Sequence, residues 1–202
     1  MASNNMAAVL TPPEIDDAIR PVTRHRVTLD EYHRMGEGQV FAPDARIELI
    51  EGEILNMAPI GPPHVHYINR LNRALVLAVG DRAVVSVQNS VMLPPDSEPE
   101  PDFVLLRPDR LGPSVLPSTH DALLIIEVAD SSLGFDRRVK ARLYAKHGIP
   151  EMWIVDVNAR KLLIHRRPEA AGYADVSERD WTGMLAPVML PDAALDLTAI
   201  FG

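Results

Sequence analysis

Residues 123–128 read Leu-Leu-Ile-Ile-Glu-Val, an almost continuous apolar run with one acidic residue, Glu127, near its end. A short apolar run of this kind is typical of a strand buried on both faces of a sheet. Residues 101–106, Pro-Asp-Phe-Val-Leu-Leu, form a second run that begins with Asp102. If the two strands are antiparallel or staggered neighbours, Asp102 and Glu127 meet, because adjacent strands lie only about 4.8 Å apart.

Two carboxylates at one place need a cation between them. Mg²⁺ binds one or two carboxylates together with waters and phosphate oxygens, so Asp102, Glu127 and the backbone carbonyl of Val128 predict a shell for Mg²⁺ or Mn²⁺. Water on such an ion is the nucleophile in many phosphodiester-cleaving sites. The pattern favours a metal-dependent nuclease, and the alternative is that both acids are ordinary strand-end residues paired with Arg.

Phosphodiester cleavage also needs a positive group near the water or the scissile phosphate. Lys140 is the leading candidate, because it lies on the helix predicted after the Glu127 strand and its long side chain could reach back over the strand end. Arg137 and Arg138 are candidate phosphate contacts on the same helix. The alternative for all three is a solvated basic helix face.

Helical patterns occur in three places. Thr28 with Glu31 three residues later predicts a capped helix to about Met35. Residues 64–79 predict an amphipathic helix that ends at Gly80, and residues 135–147 predict a third helix closed by Gly148. The apolar face of the second helix is expected to comprise Val65, Ile68, Leu71, Leu75 and Val79.

Strand patterns fill the rest of the chain. Residues 46–57 predict a hairpin that turns at Glu51-Gly52 and places Glu48 on the face opposite Ile47 and Leu49. Residues 83–93 and 101–107 predict single strands, and residues 151–156 and 161–165 predict a second hairpin. The tail from Tyr173 predicts short strands and a final short helix near 193–201. We therefore expect an α/β protein of mixed α+β type, with helices packed on a mixed sheet.

Composition narrows the functional classes. The chain has 202 residues, 47% of them hydrophobic, and contains no Cys, which excludes disulfides, thiolate catalysis and Cys-ligated zinc. The net charge of −8 argues against a protein that coats nucleic acid by charge alone. No targeting or membrane-spanning pattern is apparent, so we expect a cytoplasmic protein with no membrane partner. Residues 1–21 are expected to form a flexible leader, and 22–202 a single domain.

Over residues 26–165 the chain resembles the PD-(D/E)XK nuclease superfamily, and within it the bacterial Uma-type restriction-endonuclease-like proteins. The resemblance is carried by the hairpin from Arg46, by His64 after a Pro-rich loop, by Pro101-Asp102, by Ile126-Glu127-Val128, and by a segment that includes Asp136, Lys140, Tyr144 and 148–156. It implies a restriction-endonuclease-like core of four mixed strands flanked by helices, an Asp102 and Glu127 metal site, and DNA as the substrate. It also implies that Glu48 completes the metal shell.

One position departs from the motif. The superfamily places a Lys two residues after the Glu, where this chain has Ala129, and the resemblance implies that Lys140 takes its place from the next helix. His64 is expected to cap or orient the site rather than to ligate, since His66, two residues later on a helix, points elsewhere. Tyr144 and Trp153 are interpreted as core residues, because each lies at a position that the helix or strand pattern assigns to the apolar face.

Two functions follow from these residues. The first is a Mg²⁺- or Mn²⁺-dependent DNA endonuclease, and a homodimer is compatible with it because cutting both strands of a duplex needs two sites or two events. The second is a catalytically degenerate nuclease fold that acts in nucleic-acid binding or self-association. The acidic net charge and Ala129 favour the second slightly.

Overall fold

The computed structural model describes residues 23–108 and 116–202. The leader expected at 1–21 lies outside these residues. The helices are α1 (Leu29–Glu37), α2 (Pro62–Val79), α3 (Leu133–Phe135), α4 (Ala141–Lys146) and α5 (Leu197–Phe201), with a 3-10 turn at Gly80–Arg82 and a π-helical turn at Asp136–Lys140 between α3 and α4. The strands are β1 (Ile47–Ile50), β2 (Glu53–Asn56), β3 (Val84–Val87), β4 (Phe103–Leu106), β5 (Ala122–Ala129), β6 (Glu151–Asp156), β7 (Lys161–Glu169), β8 (Gly172–Asp180), β9 (Met184–Leu185) and β10 (Leu195–Asp196).

Six of these strands form one mixed sheet in the order β3-β4-β5-β6-β7-β8. Only β5 and β6 pair in parallel, and the other neighbours are antiparallel. The parallel pair needs a crossover, and α3, the π-helical turn and α4 supply it. The mixed α/β fold predicted from the sequence is confirmed, with six strands in the sheet where the resemblance implied a core of four.

The sheet has a hydrophobic cluster on each face. Strand β5 is buried along its whole length, as its continuous apolar run predicted. One cluster joins the sheet to α2 and α5, and includes Leu71 and Phe201. The other joins it to α4, and includes Leu143 and Tyr144. The central strands are thus covered from both sides, which holds the end of β5 in a fixed, largely dry position.

The predicted helices are present, with one residue misassigned. Thr28 and Glu31 form the reciprocal capping box of α1. Helix α2 ends at Gly80, whose φ of 51° lies in the left-handed region that favours glycine. Val65 was wrongly placed on the apolar face of α2: it is 47% exposed, because the first turn of the helix extends beyond the edge of the core.

The hairpins form as predicted, but one strand is shorter. Strands β1 and β2 pair around Glu51-Gly52. Gly52 has a φ of +77°, and a Cβ there would lie 2.7 Å from the Cβ of Arg26. Strands β6 and β7 also form a hairpin. The strand predicted over 83–93 is wrong beyond Val87, because Gln88 takes a left-handed φ of 51° that ends regular pairing.

Over the part of the chain that the structure describes, no helix is both long and apolar enough to cross a membrane.

Candidate active site

Antiparallel pairing brings the two predicted acids together. Phe103 of β4 pairs with Ile126 of β5, so Asp102, just before Phe103, faces the position of Glu127, just after Ile126. The backbone N–H of Val128 donates a 2.7 Å hydrogen bond to Oδ2 of Asp102. Strand register thus does what the sequence predicted: it places one carboxylate from each strand at the same end of the sheet.

Lys140 connects this pair to the N-terminal hairpin. Its Nζ lies 3.1 Å from Oε1 of Glu127 and 3.1 Å from Oε1 of Glu48. The side chain is only 4% exposed. Lys140 closes the π-helical turn, and such turns shift side-chain direction within a helix and are frequent at functional sites. The ammonium group of Lys140, which the sequence predicted to reach over the end of the Glu127 strand, is therefore buried between two carboxylates.

Glu48 lies inside the molecule. It alternates with Ile47 and Leu49 as the hairpin pattern predicted, but both faces of β1 are covered, so Glu48 is buried rather than outward. Its Oε1 accepts hydrogen bonds from Lys140 and from the backbone N–H of Glu100, the latter at 3.2 Å. Its Oε2 is buried and accepts no hydrogen bond from any described group.

Two further residues of the site were missed as functional candidates. Tyr144 packs in the core, as expected for its apolar phase, but its hydroxyl also donates a 2.7 Å hydrogen bond to Oε1 of Glu127. Asp136 begins the π-helical turn, is buried, and accepts a 2.6 Å hydrogen bond from the hydroxyl of Ser132. The available signal was their spacing of four residues on either side of Lys140, which places all three on one helix face.

His64 contacts both strands of the site. Its Nδ1 lies 2.8 Å from the carbonyl oxygen of Val128, and its Nε2 lies 2.9 Å from Oδ1 of Asp102. Burial lowers the pKa of His64, but the negative charge of Asp102 close to its Nε2 outweighs the effect of burial, so the net pKa is raised. His66 is exposed. His64 thus connects the start of α2 to both strands of the site, and its role in orienting the site stays a prediction.

The electrostatics of the site show an excess of negative charge. Burial raises the pKa of Glu127 well above its usual range, with Lys140 acting against the shift and neighbouring carboxylates adding to it. Burial also raises the pKa of Asp136, to about 6. Glu100 shows a raised pKa from burial and from the charge of Glu48. One lysine therefore does not neutralise the carboxylates that surround it.

These side chains form the floor of a cleft of about 490 Å³. The cleft is lined by the hairpin and the segment after it, by the start of α2, and by residues around the β5 to α3 connection. The lining residues are Arg46, Glu48, Leu55, Asn56, Met57, Ala58, Pro59, Ile60, Gly61, His64, Glu100, Asp102, Glu127, Asp130, Ser131, Ser132, Phe135, Asp136 and Lys140. Of the residues that the sequence assigned to the site, Glu48, His64, Asp102, Glu127 and Lys140 are in this set. Val128 and the two candidate phosphate contacts, Arg137 and Arg138, are not, and both arginines are exposed.

The residues fit a hard divalent cation. Within residues 23–108 and 116–202, no group of three or more His, Asp or Glu side chains is already gathered in a metal-binding arrangement. The donors are nevertheless carboxylate and carbonyl oxygens, which Mg²⁺ and Mn²⁺ prefer. The buried, partnerless Oε2 of Glu48 and the raised pKa of Glu127 both indicate negative charge that a cation would offset.

The surroundings of Ala129 differ from those of Lys140. The position where the nuclease motif carries its Lys is fully buried in the hydrophobic cluster on the α4 side of the sheet. Lys140 reaches Glu127 from the helical segment that covers the same face of the sheet.

Comparison with known proteins defines first the fold and then the family. The chain shares its fold with the crystal structure of a putative nuclease belonging to DUF820 from Anabaena variabilis ATCC 29413, with a TM-score of 0.68, 15% identity, and coverage of 87% of this chain and 97% of that chain. No curated protein matches the sequence. The chain belongs to the Uma2 family, described as putative restriction endonuclease, whose model matches residues 29–198. The resemblance drawn from the sequence is confirmed, and family and fold together support a nuclease.

Proposed function

We propose that the protein is a Mg²⁺- or Mn²⁺-dependent endonuclease that hydrolyses phosphodiester bonds in DNA. The observation that carries the proposal is the arrangement of Asp102, Glu127 and Glu48 at the floor of a cleft, with Lys140 between two of them. Such a combination of carboxylates and one amine is what metal-assisted phosphodiester hydrolysis requires. Membership of a family of putative restriction endonucleases supports the same reaction.

In this proposal Asp102 and Glu127 would hold the cation, and the carbonyl of Val128 and the partnerless Oε2 of Glu48 would complete its shell. When bound, the ion supplies Lewis-acid polarisation of the phosphate and a water molecule of lowered pKa. The Val128 carbonyl has two lone pairs, so its contact with His64 leaves one available. Hydrolysis forms a bond between the water oxygen and phosphorus, breaks the bond to the leaving oxygen, and transfers a proton to that oxygen.

The protein's own residues organise this chemistry. Lys140 holds Glu48 and Glu127 in fixed positions, and its ammonium group orients the attacking water or offsets charge on the phosphate. The Tyr144 hydroxyl donates to the same oxygen of Glu127 and helps to fix its orientation. His64 holds Asp102 and the Val128 carbonyl together. Preorganisation of this kind lowers the reorganisation needed during the reaction.

A second candidate function is a degenerate nuclease fold that binds nucleic acid or associates with itself without cutting. One observation favours it: Lys140 already partners both Glu48 and Glu127. Metal binding separates the two functions. A working site is stabilised by Mn²⁺ through mass action, whereas a degenerate fold shows no change in melting temperature.

The test is cleavage of supercoiled plasmid and of a labelled single-stranded oligonucleotide with Mg²⁺, Mn²⁺ or EDTA. We expect metal-dependent products that are absent with EDTA and absent from the variants Asp102→Asn and Glu127→Gln. Retained cutting in either folded variant would contradict the metal assignment. Equal cutting by wild type and both variants would point to a contaminating nuclease.

A further inference from the structure

The cleft combines an acidic floor with apolar walls. Six of its lining residues are acidic, namely Glu48, Glu100, Asp102, Glu127, Asp130 and Asp136. Its side walls carry apolar surface from Leu55, Met57, Ile60 and Phe135. The carboxylates of the floor repel an incoming phosphate, and only the cationic groups of the site attract it.

The reactive carboxylates are deep in this cleft. Glu48, Asp102 and Glu127 are each no more than 9% exposed. A scissile phosphate must therefore enter the cleft to reach them. A cleft of about 490 Å³ lies in the size range that encloses one small ligand. It matches one nucleotide and is far too small for a turn of double helix.

Base pairing makes this insertion costly. A paired nucleotide enters a cleft of this kind only after it is unstacked and unpaired, and the free-energy cost of this step is smallest for a nucleotide that is already unpaired. The net charge of −8 also weakens the non-specific attraction that would hold a duplex on the surface.

We propose that the cleft binds single-stranded nucleic acid, with one unpaired nucleotide inserted so that its phosphate contacts Arg46 and its base packs against the wall that includes Ile60. The inference rests on the proposed function, because it takes the floor of the cleft as the place where the phosphodiester is cut. It names the substrate class that this site prefers over duplex DNA.

Arg46 is the cation that can meet an incoming phosphate. The two permanently cationic residues that line the cleft are Arg46 and Lys140. Lys140 is enclosed by two carboxylates, but Arg46 is exposed and places one guanidinium nitrogen, Nη1, 2.8 Å from the carbonyl oxygen of Ala58. That contact leaves other guanidinium N–H groups for a phosphate. It also anchors the wall segment that carries Ile60.

Ile60 supplies apolar contact surface. It is 38% exposed although it is a large hydrophobic residue, and it lies in a segment without regular secondary structure between β2 and α2. Proteins that bind single strands without base readout combine a cationic backbone contact with side chains on which the bases stack, and a base that has left the stack is also held between aromatic or apolar side chains. Arg46 and Ile60 provide these two parts on one side of the catalytic floor.

The first experiment measures binding without cutting. A fluorescein-labelled 12-nucleotide strand and the corresponding duplex are titrated by anisotropy with Ca²⁺ in place of Mg²⁺. We expect the single strand to bind at least 10-fold more tightly. Arg46→Gln should weaken single-strand binding at least 5-fold and lower the slope of log K against log salt by about 0.7, while Arg46→Lys keeps most of both. Ile60→Ser should weaken binding about 3-fold.

Two matched controls lie on the exposed surface of α2, away from the cleft. Arg73→Gln removes an exposed arginine about 13 Å along the helix from His64, and Leu77→Ser removes a leucine that is 74% exposed, about 20 Å along. Both should bind like wild type. Equal effects of Arg46→Gln and Arg73→Gln, or of Ile60→Ser and Leu77→Ser, would overturn the assignment of the cleft as the binding site.

The second experiment compares cleavage of the single strand, the duplex and a duplex with a central single-stranded gap, with Mn²⁺ and with Asp102→Asn as the background. We expect the single strand to be cut at least 10-fold faster than the duplex, and cuts in the gapped molecule to fall in the gap. Duplex cutting at an equal or higher rate overturns the inference and keeps the nuclease. Arg46-dependent single-strand binding without Asp102-dependent cutting supports the ligand class and contradicts the nuclease. Absence of both binding and cutting overturns both.

Discussion

Two buried glutamates on neighbouring strands have opposite surroundings. Glu151 at the start of β6 is fully buried, and its carboxylate accepts hydrogen bonds from Trp153 Nε1 at 2.8 Å, Arg166 Nε at 2.7 Å and the Val188 N–H at 2.7 Å. Glu127 near the end of β5 shares Lys140 with Glu48, and burial raises its pKa. Because β5 and β6 are parallel, the two residues lie toward opposite ends of the sheet.

The difference teaches how to separate structural from functional buried charge. A buried carboxylate whose oxygens accept hydrogen bonds from several donors, including a guanidinium, needs no further partner, and it connects the segments that carry those donors. Several buried carboxylates that share one cation lower the stability of the fold. Such a group is typical of a functional site, where a bound ligand supplies the missing positive charge. Glu151 belongs to the first kind, and under the proposed function Glu127 and Glu48 belong to the second.

The largest expected effect is on catalysis by Glu127. Glu127→Gln should reduce cleavage about 10⁴-fold, or about 5.4 kcal/mol in transition-state free energy, because the variant loses a metal-binding carboxylate. The free energy of unfolding should change by less than about 1 kcal/mol, since the amide can still accept hydrogen bonds from Lys140 and Tyr144. Cleavage assays and urea denaturation measure the two quantities. Large destabilisation with retained cutting would reverse the roles assigned to the two glutamates.

The next effect is on stability at Glu151. Glu151→Ala leaves the donors of Trp153, Arg166 and Val188 without their acceptor, so we expect a loss of about 3–5 kcal/mol in the free energy of unfolding. Urea denaturation checks it. The matched control is Glu169→Ala, an exposed glutamate in β7 that should change stability by less than about 0.5 kcal/mol. A change as small as that of the control would show that the Glu151 network is dispensable.

Metal addition should distinguish the two regions directly. At 100 times its Kd, Mn²⁺ should stabilise wild type by about 2.7 kcal/mol by mass action, measured as an increase in melting temperature. Asp102→Asn should lose this increase, because it removes a proposed ligand. Glu151→Gln should keep the increase from a lower starting temperature. An undiminished Mn²⁺ response in Asp102→Asn would place the metal elsewhere.

The smallest effect concerns Tyr144. Tyr144→Phe removes one hydrogen bond to Glu127 and keeps the packed ring, so we expect a stability change of about 1 kcal/mol or less and a several-fold loss of cleavage rate. A quenched time course of cleavage at saturating substrate measures the rate. If Tyr144→Phe cuts at the wild-type rate, the hydroxyl serves packing and hydrogen-bond satisfaction alone.

Much of the fold followed from local pattern. The apolar run of β5, the hairpin at Glu51-Gly52 and the capping box of Thr28 were all evident, because strand alternation, turn residues and helix caps depend on residues close together in sequence. Failures came where tertiary contacts or single dihedral angles override pattern. Val65 is in apolar phase but the core does not extend to it, and Gln88 ends β3 by adopting a left-handed conformation.

The candidate site was predictable in part. Asp102 and Glu127 could be paired from sequence because both stand at strand ends, and antiparallel register brings such ends together. The contribution of Tyr144 to the site was not visible, since its apolar phase accounts for the ring and says nothing about the hydroxyl. Arg46 was named only as part of a family-like stretch, because its place in the cleft depends on how the hairpin packs against the main sheet.

The sequence by itself determined which residues carry acid, amine and apolar surface and in which strands and helices they lie. Only the tertiary structure decided their partners. Lys140 and Glu48 are 92 positions apart, and Val188 and Glu151 are 37 apart, yet each pair is joined by a hydrogen bond. The physical reason is that burial and charge balance are set by the whole surrounding shell, and that shell is assembled from distant segments only when the sheet and its helices pack together.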